Sequence, residues 1–72
     1  MDGRTRYNKV KQILKPIVGQ TMHMEKIRRR VIIDVGSSDT VVMETMRLMI
    51  DLGLIREVSA FMFKVERCEA DI

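Results

Sequence analysis

The sequence predicts a mainly α-helical domain, with three helices followed by a small β-hairpin. Apolar residues recur at helical spacing in three successive segments, which Gly19 and Gly36 separate. After Gly53 the period changes, and apolar and polar residues alternate from Phe61 to Glu66 as in a half-buried strand. At 72 residues the chain has room for a single domain with a small hydrophobic core.

The first helix is predicted from about residue 6 to residue 17. Its apolar stripe consists of side chains at helical spacing, namely Tyr7, Val10, Ile13, Leu14 and Ile17. Pro16 should kink or end this helix, because proline has no backbone N–H to donate to the preceding turn. Residues 1–5 are expected to form a flexible arm.

The second helix is predicted over residues 22–35, with Thr21 as its N-cap and Gly36 just after its end. Its core face is expected to consist of Met24, Ile27, Val31 and Val35. The side chains expected to point away from the core are Lys26, Arg29, Arg30 and Ile33, with Arg28 at the edge of the core face.

The third helix is predicted over residues 40–52, after a cluster of capping residues and before Gly53. Its core face is expected to hold Val42, Met43, Met46, Met49 and Ile50. The opposite side then carries a second apolar stripe, formed by Val41, Thr45, Leu48 and Leu52. Such an exposed stripe usually marks a contact with another protein. Cover by the hairpin or by the first helix is the alternative that the sequence leaves open.

The hairpin is predicted over residues 55–66, with a turn near Ser59 and Ala60. Phe61, Phe63 and Val65 should share its buried face. Residues 67–72 are expected to form a polar tail.

The composition argues against several functional classes. The only cysteine is Cys68 and the only histidine is His23, so neither a disulfide framework nor a metal site is expected. His23 is expected to be a surface or capping residue.

No apolar run approaches the roughly 20 residues of a membrane span, so we expect a cytoplasmic protein without a membrane partner. The sequence contains no pair of catalytic carboxylates, no nucleophile with a base and no Gly-rich phosphate loop. We therefore expect no enzyme, no cofactor and no small-molecule substrate.

The charge is unevenly distributed along the chain. Residues 4–33 contain nine Lys/Arg and one acid, Glu25, whereas residues 34–72 contain four Lys/Arg and eight acids. A basic half on a small chain indicates a polyanionic partner, although a merely solvated face is the alternative interpretation. The few aromatic residues make RNA a weaker candidate than DNA.

Residues 36–55 carry the most specific motif in the sequence. A short turn that contains Gly36 joins two predicted helices, as in a helix-turn-helix unit. Over residues 6–66 the chain resembles the winged helix-turn-helix superfamily, and especially small regulators of archaea and their viruses. In that superfamily the recognition helix ends in a pattern close to L-x-x-L-x-x-x-G-L-I. Here Met46 and Met49 stand at the two leucine positions, and residues 53–55 match the closing triplet.

The resemblance implies a transcriptional regulator that binds double-stranded DNA. The third helix would enter the major groove and present Thr40, Val41, Glu44, Thr45 and Arg47. Ser37, Ser38 and the start of this helix would hold a phosphate. The second helix would hold the DNA backbone through Lys26, Arg28, Arg29 and Arg30.

Two features depart from the family pattern. The reading helix has a single basic residue, Arg47, beside the acids Glu44 and Asp51, and the wing tip at residues 57–60 has no Lys or Arg. The rival hypothesis is a protein-interaction module that docks through the apolar face of the third helix. A homodimer is expected in either case, with Ile33, Leu48 and Leu52 as candidate interface residues, since association would supplement a small core.

Overall fold

Residues 3–69, the part of the chain described by the computed structural model, form three α-helices and a three-stranded antiparallel sheet. The helices are α1 (Gly3–Leu14), α2 (Met24–Asp34) and α3 (Asp39–Asp51), and one 3-10 turn (Lys15–Ile17) follows α1. The strands are β1 (Thr21–His23), β2 (Ile55–Ser59) and β3 (Met62–Val65). The sheet order is β1-β3-β2, so the last strand of the chain lies in the centre.

Helix α1 begins earlier and ends earlier than predicted. Residues 3–5, expected to belong to an arm, are already helical, while residues 1 and 2 lie outside the described part of the chain. The α-helix ends at Leu14, and Pro16 lies in the 3-10 turn, which confirms that this proline ends the helix. The predicted stripe is largely confirmed, because Val10, Ile13, Leu14 and Ile17 are buried.

Strand β1 was not predicted. Its three residues pair with β3 in the register Thr21–Lys64, Met22–Phe63 and His23–Met62. Helix α2 therefore starts at Met24 rather than residue 22, and Thr21 is not its N-cap. That position belongs to His23, whose Nδ1 accepts the Glu25 N–H at 3.1 Å, so the expected capping role of the histidine is confirmed.

Helix α3 begins and ends with ordinary capping interactions. The Ser38 Oγ accepts the Val41 N–H at 3.2 Å, so Ser38 is the N-cap. At the other end Gly53 has a φ of +70°, a left-handed conformation that glycine adopts at little cost. The Gly53 and Leu54 N–H groups donate to the carbonyls of Ile50 (3.0 Å) and Met49 (2.9 Å), as in a Schellman motif.

The turn of the hairpin lies at Ala60 and Phe61, one residue later than predicted. Phe61 has a φ of +61° and is exposed, so the expectation that it shares the buried face of the hairpin is wrong. Phe63 and Val65 are buried as predicted, whereas Phe61 lies in the turn just before β3 begins at Met62. The Phe61 carbonyl instead accepts the Met24 N–H at 2.8 Å, and the ring stacks on His23 with centroids 6.2 Å apart.

The core is continuous between the helices and the sheet. It consists of Val10, Ile13, Leu14, Ile17, Met22, Ile27, Val31, Val42, Met49, Leu54, Ile55, Phe63 and Val65. Each of the three helices and the three strands contributes to it, so the helices of this small domain are held by packing rather than by their intrinsic stability.

Helix α3 packs with a face that overlaps the predicted one but is rotated from it. Val42 and Met49 are buried, and Met46 packs against the core, as predicted. Thr45 is fully buried, and Leu48 and Leu52 are partly buried against the core, whereas Met43 and Ile50 are exposed. Apolar residues cover more than half of the circumference of this helix, so their spacing alone fits two overlapping inward faces. The buried stripe includes a threonine, which can enter the core because its Oγ1 donates to the Val41 carbonyl at 2.6 Å.

The segment after β3 contacts the domain as far as it is described. Cys68 packs against the core, and the Glu69 carboxylate lies 2.9 Å from the Lys11 Nζ. This ion pair raises the pKa of Lys11 and lowers the pKa of Glu69. Residues 67–69, expected to belong to a polar tail, therefore contact the fold, while residues 70–72 lie outside the described part of the chain. Within that part, no helix is both long and apolar enough to cross a membrane.

Candidate functional site

Three basic side chains share the outer face of α2. Lys26, Arg29 and Arg30 are all exposed, and at helical spacing they lie within an arc of about 100°. Ile33, 80% exposed, lies on the same arc. Among residues 3–69 no hydrogen bond or ion pair engages any of the three basic groups. We call Lys26, Arg29 and Arg30 the α2 basic face.

Arg28 does not belong to this face, although the sequence predicted that it would act with the other three. It lies about 160° from Lys26 around α2. It is half-buried, and its Nη1 is 3.5 Å from the Glu25 Oε1. The structure thus brings together three of the four predicted phosphate contacts and turns the fourth toward α3 and the sheet.

The start of α3 is less suited to binding a phosphate than its sequence predicted. Ser37, Ser38 and Thr40 are exposed as expected, but the Ser38 Oγ already accepts the Val41 N–H. Asp39 occupies the first turn, where a carboxylate complements the positive end of the helix dipole. The same carboxylate repels an approaching phosphate.

Several residues predicted to read DNA bases are buried or already contact other residues of the domain. Thr45 is fully buried with its hydroxyl bonded to the Val41 carbonyl, so the expectation that it points outward from α3 is wrong. Val41 is half-buried against the turn at Gly36. The Glu44 Oε2 lies 2.9 Å from the Arg6 Nη1 of α1. Of the predicted readers, Thr40 and Arg47 are exposed and carry no such contact among the described residues.

The three predicted interface residues do not form one surface. Ile33 points to solvent on the α2 basic face, as expected. Leu48 and Leu52 pack against the core, so the prediction that they form an exposed stripe is wrong. The alternative considered from the sequence, cover by the rest of the domain, is the one observed.

An apolar groove instead runs along the true outer face of α3. Met43 and Ile50 are 60% and 47% exposed on this face. The groove lies between α3, the start of α2 and strand β3, and has a volume of about 610 Å³. Its apolar lining consists of Met24, Val42, Met43, Met46, Ile50 and Phe63. We call it the α3 groove.

The α3 groove is bordered by charges of both signs. Two arginines, Arg28 and Arg47, and two aspartates, Asp39 and Asp51, contribute to its walls. The sequence held a signal for this surface. Asp39, Met43 and Arg47 lie at i, i+4 and i+8 and therefore form one ridge of the helix. Because the residues at both ends of this ridge are charged, the ridge is expected to face solvent, and Met43 is expected to be exposed on it.

The hairpin adds little positive charge to either surface. The Arg56 Nε is 2.8 Å from the Glu66 Oε1, and this contact lowers the pKa of Glu66. The Glu57 Oε2 accepts the Phe61 N–H at the tip. Across residues 3–69, no three His, Cys, Asp or Glu side chains come together in a way that could hold a metal ion.

Comparison of the chain with protein-family models, with curated proteins and with solved structures found no significant match.

Proposed function

We propose that this chain is a winged helix-turn-helix domain that binds double-stranded DNA through the α2 basic face and regulates transcription. The arrangement of α2 and α3 supports the proposal, since only the four residues 35–38 separate them and Gly36 lies among these. The β2–β3 hairpin follows α3 directly, where the resemblance places the wing.

The observation that carries the proposal is the charge of the α2 basic face. Three cations without an acidic partner among the described residues lie on one arc of a single helix. In an isolated domain such an arrangement is self-repulsive, and a row of phosphates relieves the repulsion while releasing condensed counterions.

Base reading is expected to contribute little to the affinity. The outer face of α3 presents Arg47 and Thr40 but also Asp39 and Asp51, and Thr45 is enclosed. Carboxylates repel the phosphates on both sides of the major groove, and a single arginine can specify about one guanine. Most of the binding free energy should therefore be electrostatic and independent of sequence.

The test is a titration of a random duplex at several salt concentrations, from about 50 to 200 mM, the range over which phosphate contacts change affinity strongly. Replacing Lys26, Arg29 and Arg30 by alanine should weaken binding and reduce the slope of log K against log[salt] by about 2–3, because each phosphate contact contributes about 0.9. Duplexes enriched by selection, titrated in parallel, measure the share of base reading.

The matched control removes the same charge elsewhere. Replacing Lys11, Lys15 and Arg56 by alanine also removes three cations, but from α1, the 3-10 turn and β2. This variant should retain most of the salt slope. Equal losses in both variants would mean that only the net charge matters. Undiminished affinity in the α2 variant would exclude the α2 basic face as the binding surface.

A further inference from the structure

The α3 groove is an apolar surface with an unusual charge pattern. Its floor exposes Met43 and Ile50, and its walls contain as many basic as acidic residues. A duplex is disfavoured there by Asp39 and Asp51. A strongly charged peptide of either sign gains nothing from walls with no net charge. The surface is suited to a partner whose own face is apolar in the middle and carries both charges.

The ridge of α3 is such a face. From Asp39 through Met43 to Arg47 it carries a negative charge, an apolar centre and a positive charge at equal spacing. Two copies related by a two-fold axis present the same surface to each other, so that every group meets the group placed symmetrically across the axis. An axis through Met43 brings Asp39 of one copy opposite Arg47 of the other, and the reverse pair forms at the same time.

We propose that the α3 groove is a self-association surface, in which α3 of a second copy packs antiparallel about a two-fold axis through Met43. In the single chain neither Asp39 nor Arg47 has an ion-pair partner among the described residues, and the dimer supplies one for each.

The dimer leaves the α2 basic face free. Arg28 lines the α3 groove, while Lys26 lies about 160° away around the same helix. Association through α3 therefore covers one side of α2 and leaves the other side exposed in both copies. If the proposed DNA binding holds, the dimer presents two basic faces to a duplex, and its pairing of Arg47 with Asp39 removes Arg47 from base reading. The self-association itself does not depend on that function.

Cysteine cross-linking without DNA tests the position of the axis. In a background in which Cys68→Ser removes the native thiol, Met43→Cys places two thiols at the axis and should form a disulfide-linked dimer rapidly on mild oxidation. The control is Ile33→Cys in the same background, because Ile33 is even more exposed but lies on the α2 basic face. Cross-linking no faster at residue 43 than at residue 33 overturns the proposal.

Sedimentation equilibrium of the charge-reversed variants tests the pairing. Asp39→Arg and Arg47→Asp should each weaken dimerisation by at least about tenfold, because like charges then face each other. The double variant restores opposite charges and should recover most of the affinity. Circular dichroism of each variant checks folding, because Asp39→Arg places a positive charge in the first turn of α3, where it opposes the helix dipole.

Met43→Lys provides a second variant that the fold tolerates, since Met43 is largely solvent-exposed. It should be monomeric at concentrations at which the wild type is dimeric. A monomeric wild type at all accessible concentrations, or a dimer that survives Met43→Lys, overturns the proposal. Binding of a random duplex by a monomeric wild type would leave the proposed function standing, whereas a dimer that binds no duplex would leave only the self-association.

Discussion

The hydroxyl of Thr45 is satisfied within its own helix. Its Oγ1 donates to the Val41 carbonyl at 2.6 Å, and the whole side chain is buried between α3 and the core. Because that carbonyl also receives a helical backbone N–H, it is not left without a partner when the hydroxyl is removed. The hydroxyl therefore makes burial of this residue possible without being indispensable to the fold.

Thr45→Val should consequently change little. Valine has nearly the same shape, so we expect the free energy of unfolding to change by less than about 1 kcal/mol, and Thr45→Ala to cost more because it leaves a cavity. Duplex affinity should equal that of the wild type. Urea denaturation and a duplex titration measure the two quantities. A folded Thr45→Val variant that loses duplex affinity would restore Thr45 as a base-reading residue.

At the scale of elements, α1 is tied to α3 by one partly enclosed ion pair. The Arg6 side chain is 18% exposed, and its Nη1 lies 2.9 Å from the Glu44 Oε2. Its Nε is buried without a hydrogen-bond partner among the described residues. A guanidinium in this position depends on the carboxylate, since removal of one member of an enclosed pair leaves the other charge poorly solvated.

The two sides of this pair should therefore respond unequally to mutation. Glu44→Ala is expected to lower the free energy of unfolding by about 1 kcal/mol, while Arg6→Met costs less because the apolar chain is kept and the charge removed. In the Glu44→Ala background, Arg6→Met should recover part of the loss. Urea denaturation of the four proteins of this double-mutant cycle gives the interaction free energy between Arg6 and Glu44. If the effects of the two substitutions on the free energy of unfolding are additive, the ion pair does not stabilise the fold.

Local signals in the sequence identify most of the elements and the inward faces of α1 and α2, but not the inward face of α3. The capping serine, the proline and the glycines mark where the helices end within a few residues, because these signals act on the adjacent backbone. Strand β1 has no local signal, since three residues are too few for a periodic pattern and its pairing partner lies some forty residues away. The inward face of α3 could not be chosen from spacing, because apolar residues cover more than half of its circumference and the polar side chain of Thr45 argues against burial.

At the scale of the whole molecule, the small core limits the stability of one copy. The radius of gyration is 11.0 Å, and a chain of this size buries a smaller fraction of its surface on folding than a larger domain does. A dimer through the α3 groove would bury Met43 and Ile50 as well, and linkage then makes stability depend on protein concentration. A strictly monomeric protein shows no such dependence.

The thermal midpoint of the wild type should therefore rise as its concentration is increased about a hundredfold. Mass action favours the dimer at higher concentration, and the dimer forms only from folded chains. The midpoint of Met43→Lys should stay constant over the same range, because the substitution blocks association at an exposed site without disturbing the core. Calorimetry at matched concentrations provides the comparison. Parallel behaviour of the two proteins, whether flat or rising, would place the source of any association outside the α3 groove.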